Sequence, residues 1–324
     1  MLYPLKFKTT FKDKIWGGDK IKNVLGRDFS PLPNCGEAWT ISGIEPESSI
    51  VSNGVLKGNT LNELIEVYMD DLVGGKVFTA FGQEFPLLVK FIDAEKDLSI
   101  QVHPDDKLAE QKHNCNGKTE MWYVIDADKD SKLNIGFNRP MNKQLLKEHI
   151  ANNTIEDVLH FVPVQSGDAV FIPSGKVHAI GKGILLAEIQ QSSDITYRMY
   201  DYNRKDETGK LRQLHIEDAL EAIHYQDTNN ELISYSKQQN STNNIVSSPF
   251  FSTNFIDFDK PVEKIYTGID SFVIYTCLSG AAKIICPQAE ETIRLGECIL
   301  MPASIESAII QPKGRCKLLE TYIS

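Results

Sequence analysis

The chain has 324 residues, 41% hydrophobic and 24% charged, with forty-four acids against thirty-four bases for a net charge of −10. This composition excludes disorder over most of the length and has room for two domains. The acidic balance argues against a nucleic-acid partner, and no run approaches the ~18 consecutive apolar residues of a membrane span.

Short strand-like runs dominate. The helical stripes interrupt them rather than alternating with them, which disfavours a doubly wound parallel sheet. The first stripe is Leu61, Leu64, Ile65, Tyr68 and Leu72, with Asn59 or Thr60 placed to cap it and Glu63 in its first turn. Strands are predicted at Phe85–Ile92, at Leu98–Val102, at Met121–Ile125, and where Leu133, Ile135 and Phe137 alternate with polar residues and glycine. A second stripe over Asn142–Leu159 predicts two short helices. Strands follow at Ala169–Ile172 and Gly183–Ile189, then a third helix carrying Ile216, Ala219, Leu220 and Ile223. Residues 226–248, rich in Asn, Gln and Ser, read as a connection between domains. Beyond them, strands are predicted at Phe272–Tyr275, Ala282–Ile285 and Cys298–Met301. The pattern is that of a β-sandwich or barrel.

Two segments repeat across that connection. Gly167–Ile172 leads to Pro173 and, five residues later, His178; Gly296–Met301 leads to Pro302 and, five residues later, Ser307. The repeat predicts two barrels of one kind, only the first with a working site. The six cysteines form no C-x-x-C pair, and the opening residues have no apolar core of a signal peptide. Reduced core thiols and a cytoplasmic location are therefore expected.

Gln101 and His103 share one face if the run from Leu98 is a strand, and two polar groups on an apolar strand need partners. Glu120 begins one strand and His178 follows the turn that ends another. Imidazole and carboxylate are metal donors, and the three flank strands of one predicted barrel.

Residues 167–181, GDAVFIPSGKVHAIG, resemble the second motif of the cupin superfamily, whose small β-barrels hold a metal inside. The order LSIQVHPDD at 98–106, GKTEMWYV at 117–124, then PSGKVHAI at 173–180 resembles the type I mannose-6-phosphate isomerases, especially their short bacterial form. The segments Phe11–Gly18, Gly36–Trp39 and Ser192–Arg198 match further motifs of that family. The likeness runs from about residue 6 to 204.

The resemblance implies a mainly β fold of two cupin barrels with helical insertions in the first. It implies a zinc-binding catalytic domain over 1–237 and a degenerate domain without metal ligands over 238–324. One zinc ion per chain would be held by His103, Glu120 and His178, with Gln101 as a further ligand. Arg198, Lys118 and Asp194 would be catalytic, and Ser99, Lys90, Trp16 and Glu37 would face the substrate. The implied reaction interconverts mannose 6-phosphate and fructose 6-phosphate through an enediol. Gly117 stands where longer members carry a histidine, so that residue cannot be the proton carrier here. The net charge conflicts with an anionic hexose phosphate unless the field is local. Lys90, Lys118, Lys176, Arg198 and Arg204 are the basic residues expected to set it. The alternatives are another two-barrel metal enzyme, such as an iron dioxygenase, since the same donors suit iron, or a catalytically silent sugar-phosphate-binding protein. Oligomeric state has no sequence signal.

Overall fold

The computed structural model describes residues 1–205, 209–287 and 289–324. The first eleven strands are β1 (Thr10–Lys12), β2 (Glu37–Ser42), β3 (Leu87–Ala94), β4 (Ile100–Val102), β5 (Glu120–Ala127), β6 (Lys132–Phe137), β7 (Leu159–Pro163), β8 (Ala169–Ile172), β9 (His178–Ile180), β10 (Ile184–Gln191) and β11 (Tyr197–Tyr200). They form two antiparallel sheets, ordered β1-β2-β3-β10-β5-β8 and β11-β4-β9-β6-β7. Nine more strands follow: β12 (Thr242–Ser247), β13 (Ser252–Phe258), β14 (Val262–Ile265), β15 (Val273–Ser279), β16 (Ala281–Ile285), β17 (Glu290–Arg294), β18 (Cys298–Met301), β19 (Ser307–Pro312) and β20 (Cys316–Tyr322). Their sheets are ordered β12-β13-β20-β15-β18 and β14-β19-β16-β17. The mainly β expectation holds, and among the described residues no helix is long and apolar enough to cross a membrane.

The helices are α1 (Lys20–Asn23), α2 (Leu61–Val73), α3 (Gly75–Phe81), α4 (Asp106–His113), α5 (Lys143–Ala151) and α6 (Ile216–Ala222), with a 3-10 turn at Ile155–Val158. The predicted stripes fall on α2, on α5 with the 3-10 turn, and on α6. Thr60 caps α2 in a capping box with Glu63, each side chain bonding the other's backbone N–H.

Side-chain alternation along the central strands gives the six-stranded sheet two different faces. One face carries Val89, Phe91, Met121, Tyr123, Leu185, Ala187 and Ile189. It packs on α2 and on Phe255, Phe272, Ile274, Leu300 and Leu319 from the second pair of sheets, in one shared core. The other face carries Lys90, Ile92, Glu120, Trp122, Leu186 and Glu188, and its apolar members pack on Leu133, Ile135 and Ile180 of the facing sheet. Every residue of β3 and of β10 is buried. Their runs therefore read as largely apolar, and of the charges placed inside them Lys90 and Glu188 face the interior that holds the cavity, while Asp93 accepts from Lys20 N–H at 2.6 Å.

Apart from β1 and β11, the second pair of sheets repeats the strand order of the first: β13-β20-β15-β18 follows the pattern of β3-β10-β5-β8. Register makes the match residue by residue. Glu188 lies opposite Lys90 and Trp122; Glu320 lies opposite Asn254 and Tyr275. The Asn- and Ser-rich connection is shorter than its composition suggests. Thr242–Ser247 is strand β12, because Ile245 and Val246 are buried and the Asn244 amide donates to Asn254 Oδ1 at 3.1 Å. Five of the six cysteines are buried and all six are free thiols.

Glu320 anchors the interior of the second pair. It accepts from Tyr275 Oη–H at 2.7 Å and Asn254 Nδ2 at 3.0 Å, and lies 2.7 Å from Lys264 Nζ. Replacing Glu320 with Ala strands a half-buried ammonium and two buried donors, and is expected to cost about 2–4 kcal/mol. Urea denaturation measures this; a loss below ~1 kcal/mol would show that the network contributes little.

Candidate metal centre and substrate pocket

Three chain reversals bring the donors together. His103 leaves β4 just before Asp105 caps α4 by accepting from Leu108 N–H at 2.9 Å, which fixes where the chain turns away. Glu120 opens β5. His178 opens β9 after a turn at Gly175, whose φ of +81° and position against the His224 ring, 2.5 Å from where a Cβ would stand, admit only glycine. The same sterics account for Gly117: a Cβ there would lie 2.6 Å from Asp106 N, so a histidine has no room.

The ligand atoms of His103, Glu120 and His178 lie within 4.8 Å of one another, and all three residues are buried. Each imidazole has its Nδ1 against a backbone carbonyl, Ile195 O at 2.9 Å for His103 and Lys176 O at 2.8 Å for His178. A carbonyl only accepts, so both rings carry their proton on Nδ1 and turn an Nε2 lone pair inward. Those two Nε2 atoms stand 3.1 Å apart. Glu120 lies 3.5 and 3.4 Å from them, and neither of its buried oxygens has a hydrogen-bond donor. Burial and the Lys118 and His178 charges hold the His103 imidazole well below its usual range. Burial, with Lys118 against the opposing Glu188, takes His178 down to about 3. Two neutral imidazoles and an orphaned carboxylate converging on one point fit a divalent cation, since without one the lone pairs repel and the carboxylate stays unsatisfied. Gln101 Nε2 is 3.3 Å from His178 Nε2, and turning its amide over presents the oxygen to the same point.

A cavity of about 280 Å³ opens beside this cluster. Its walls include every other residue expected to be catalytic, to face the substrate or to add a metal ligand: Trp16, Glu37, Lys90, Ser99, Gln101, Lys118, Asp194 and Arg198. Lys118 Nζ is 3.2 Å from both His103 Nε2 and Glu120 Oε2. Lys90 Nζ sits 3.0 Å from Glu188 and 3.8 Å from Glu37. Burial alone would lower the Lys90 ammonium, but Glu188 and Glu37 outweigh it and drive it upward. Arg198 lies across the β11–β4 ladder from Gln101 and donates from Nε to Ser99 Oγ at 3.3 Å and from Nη1 to Gln213 O at 2.9 Å.

Two expected basic residues are elsewhere. Lys176 is buried against Asp227 at 3.0 Å, and Arg204 binds Asp201 and the Asp97 carbonyl; neither lines the cavity. Three charged lining residues escaped the sequence reading, of which Lys14 pairs with Glu37 at 3.2 Å. Glu188, which accepts from Trp122 Nε1 at 2.9 Å, had a signal, being a carboxylate inside an apolar strand. Arg212 had none, because it comes from an irregular segment that returns along β11, His215 N–H donating to Arg198 O at 2.7 Å. A larger cleft of about 700 Å³ lies at Glu45, Glu63, Glu66 and Glu84; none of the metal donors borders it, so size alone does not mark the chemistry.

Opposed antiparallel sheets holding a buried two-histidine, one-carboxylate centre beside a polar cavity are the architecture of a cupin-type metal protein. A family model described as the catalytic domain of phosphomannose isomerase type I matches residues 4–137. A mannose-6-phosphate isomerase of Streptococcus mutans is 36% identical over 308 residues, 95% of each chain. The isomerase ManA of Bacillus subtilis is 45% identical over 224 residues, 68% of each. A crystal structure of mannose 6-phosphate isomerase from Bacillus subtilis superposes with a TM-score of 0.88 at 32% identity, over 98% of this chain and 99% of that one. The chain belongs to the type I phosphomannose isomerase family.

Glu37 gives a pH test. Burial pushes its carboxyl up, but the Lys90 and Lys14 ammonium groups win and hold it at about 2, against an ordinary 4.5. A depressed acid stabilises the fold above its unfolded pKa and loses that contribution as pH falls through the folded one. Wild type should therefore exceed Glu37→Gln by about 3 kcal/mol near neutrality, the gap closing between pH 4.5 and 2. Urea midpoints across that range check it; a pH-independent gap would contradict the assignment.

Proposed function

We propose that the protein is a zinc-dependent aldose-ketose isomerase interconverting mannose 6-phosphate and fructose 6-phosphate. The observation that carries this is the convergence of two inward-facing imidazole nitrogens and an unsatisfied buried carboxylate beside a cavity lined by Lys90, Lys118 and Arg198. Membership of a family whose relatives are named for this activity supports it.

His103, Glu120 and His178 would hold the zinc, with Gln101 turned over as a fourth donor. Bound there, zinc supplies Lewis-acid polarisation of the sugar oxygens that gain negative charge in the enediol. The protein's own groups do the rest. A proton must leave C2 and be returned to C1. Asp194, on the cavity wall and outside the lysine–glutamate pairs beside the metal donors, is the base that moves it. Lys118, beside Glu120 and His103, donates a hydrogen bond to a substrate oxygen, and Lys90, fixed between Glu37 and Glu188, does the same. Trp16, 4% exposed, forms an apolar wall and helps exclude water. Arg198 holds the substrate by a planar grip that lysine cannot copy, with Ser99 orienting its Nε. The division of labour follows the sequence boundary: residues 1–237 form the catalytic domain, and 238–324 a second barrel without ligands that backs it.

The test is a coupled assay with mannose 6-phosphate and metal analysis of the purified protein. Chelation is expected to abolish isomerisation, and zinc to restore it at one ion per chain. Full activity in metal-free protein would defeat the zinc assignment. Stoichiometric metal and tight sugar-phosphate binding without turnover would instead identify a binding protein.

A further inference from the structure

The groups of the centre arrive on separate stretches of chain. His103 leaves β4, Lys118 and Glu120 enter β5, and Asp194 follows the exit from β10. Strand β4 lies in the opposite sheet from β5 and β10, so no strand ladder ties the first stretch to the other two. A side-chain relay does. Asp106 Oδ1 accepts from Gly117 N–H at 2.8 Å and from Gln191 Nε2 at 2.9 Å. Gln191 Oε1 accepts in turn from Thr119 N–H at 2.8 Å, and the Gln191 N–H donates to Thr119 O at 3.0 Å. Between them, Lys118 N–H donates to Pro104 O at 3.2 Å. All three N–H groups leading into Glu120 are thus fixed from outside their own segment. On the far side, the buried Gln190 amide donates to Gln191 O at 2.8 Å and to Ser193 O at 2.6 Å, so the corner that carries Asp194 is tied to the same point.

We propose that Asp106 and Gln191 are the positioning pair of the centre: together they set Lys118 and Glu120 against His103 and hold the Asp194 corner in place. This rests on the isomerase reading above for the roles of Lys118 and Asp194, and goes beyond it by giving work to two residues that neither line the cavity nor belong to the donor set. The segment needs such a brace. Asn114 ends α4 in the left-handed region, and Cys115 and Asn116 follow in no regular element, so nothing upstream fixes Gly117. Downstream the tolerance is small. Lys118 Nζ stands 3.2 Å from both His103 Nε2 and Glu120 Oε2, and a shift of the backbone moves an ammonium and a carboxylate at once. A displacement of ~1 Å in such a constellation costs up to ~100-fold in rate. The oxygen of Asp106 must accept two donors together, which a carboxylate or carboxamide can do and an alkyl group cannot. Asp106 also stands in the first turn of α4, where its charge favours the helix, so charge and acceptor have to be tested apart.

The test uses full-length protein and two readouts: zinc affinity by competition with a chelator, and turnover of mannose 6-phosphate. Asp106→Ala is expected to weaken zinc binding by ~10-fold and to lower kcat by ~10- to 100-fold, with KM rising far less. Asp106→Asn loses the charge but keeps the acceptor, and should come back to within ~3-fold of wild type in both constants. Gln191→Leu should match Asp106→Ala, and the double variant should be no worse than the poorer single one, because both cut one relay. Three results would overturn the pair: both constants within about twofold of wild type in Asp106→Ala and Gln191→Leu, Asp106→Asn as damaged as Asp106→Ala, or losses that multiply in the double variant. If Asp106→Ala does not fold, Gln191→Leu against Asp106→Asn carries the same comparison. No turnover in wild type would sink the isomerase reading and leave the zinc affinities to decide. Should wild type bind no zinc either, amide hydrogen exchange over residues 114–120 decides: protection lost in Asp106→Ala and kept in Asp106→Asn supports the pair, and unchanged protection refutes it.

Discussion

Two imidazole lone pairs facing each other across 3.1 Å, with a carboxylate that no donor satisfies, are the constraint around which the rest of the molecule is arranged. No apolar packing stabilises such a contact; a cation does. Preparing for that cation takes many parts. Two backbone carbonyls, at Ile195 and Lys176, fix the tautomers. Burial keeps both rings neutral. A glycine turn at Gly175 and an N-cap at Asp105 fix where the two histidines sit on the chain's path. Rigid strands buried on both faces then hold these positions, so the donors are preorganised by the same sheets that make the core.

The acidic surface and the anionic substrate coexist because field strength is set by distance and dielectric, not by net charge. Near the metal donors, lysines and glutamates are interleaved at 3.0–3.9 Å and largely cancel. Around Asp201, Arg204 and Arg212 share one carboxylate among the described residues, and Arg212 lines the cavity.

Much of this was legible in the sequence, for identifiable reasons. Gln101 and His103 alternate with apolar residues along one run, so period-two reading placed them on one face, and Glu120 stood out as a charge opening an apolar strand; Ser99 and Lys118 came from the family resemblance. The helical stripes were readable because amphipathic periodicity survives tertiary contact; Thr60 and Glu63 were readable because capping is local. What stayed hidden depends on pairing between distant strands. Glu188 meets Lys90 and Trp122 only because β10 lies between β3 and β5. Arg212 reaches the cavity from an irregular segment with no period at all. Lys176 was misjudged because a lysine next to a ligand motif turns away as readily as toward it, and here Asp227 and the Asn229 carbonyl capture it.

The duplicated architecture shows what separates a site from a scaffold. Glu188 and Glu320 occupy equivalent places, each bonded by the residues opposite it on two neighbouring strands. Around Glu188 the partners are Lys90 and Trp122, and two residues before Trp122 stands Glu120. Around Glu320 they are Asn254 and Tyr275, and two residues before Tyr275 stands Val273, while Ser307 opens the strand that His178 opens in the first copy. Lys264 then closes on Glu320 at 2.7 Å, and Tyr266 adds a hydroxyl contact to Tyr275 at 2.8 Å, so every charge in the second interior has a protein partner. The first interior leaves the Glu120 oxygens with no hydrogen bond, the Lys118 ammonium standing 3.2 Å from one of them. A buried carboxylate on the central strand is thus compatible with either outcome. The difference lies in whether the surrounding residues complete its coordination or leave it for a metal, and that choice turns on the few positions where the two copies part.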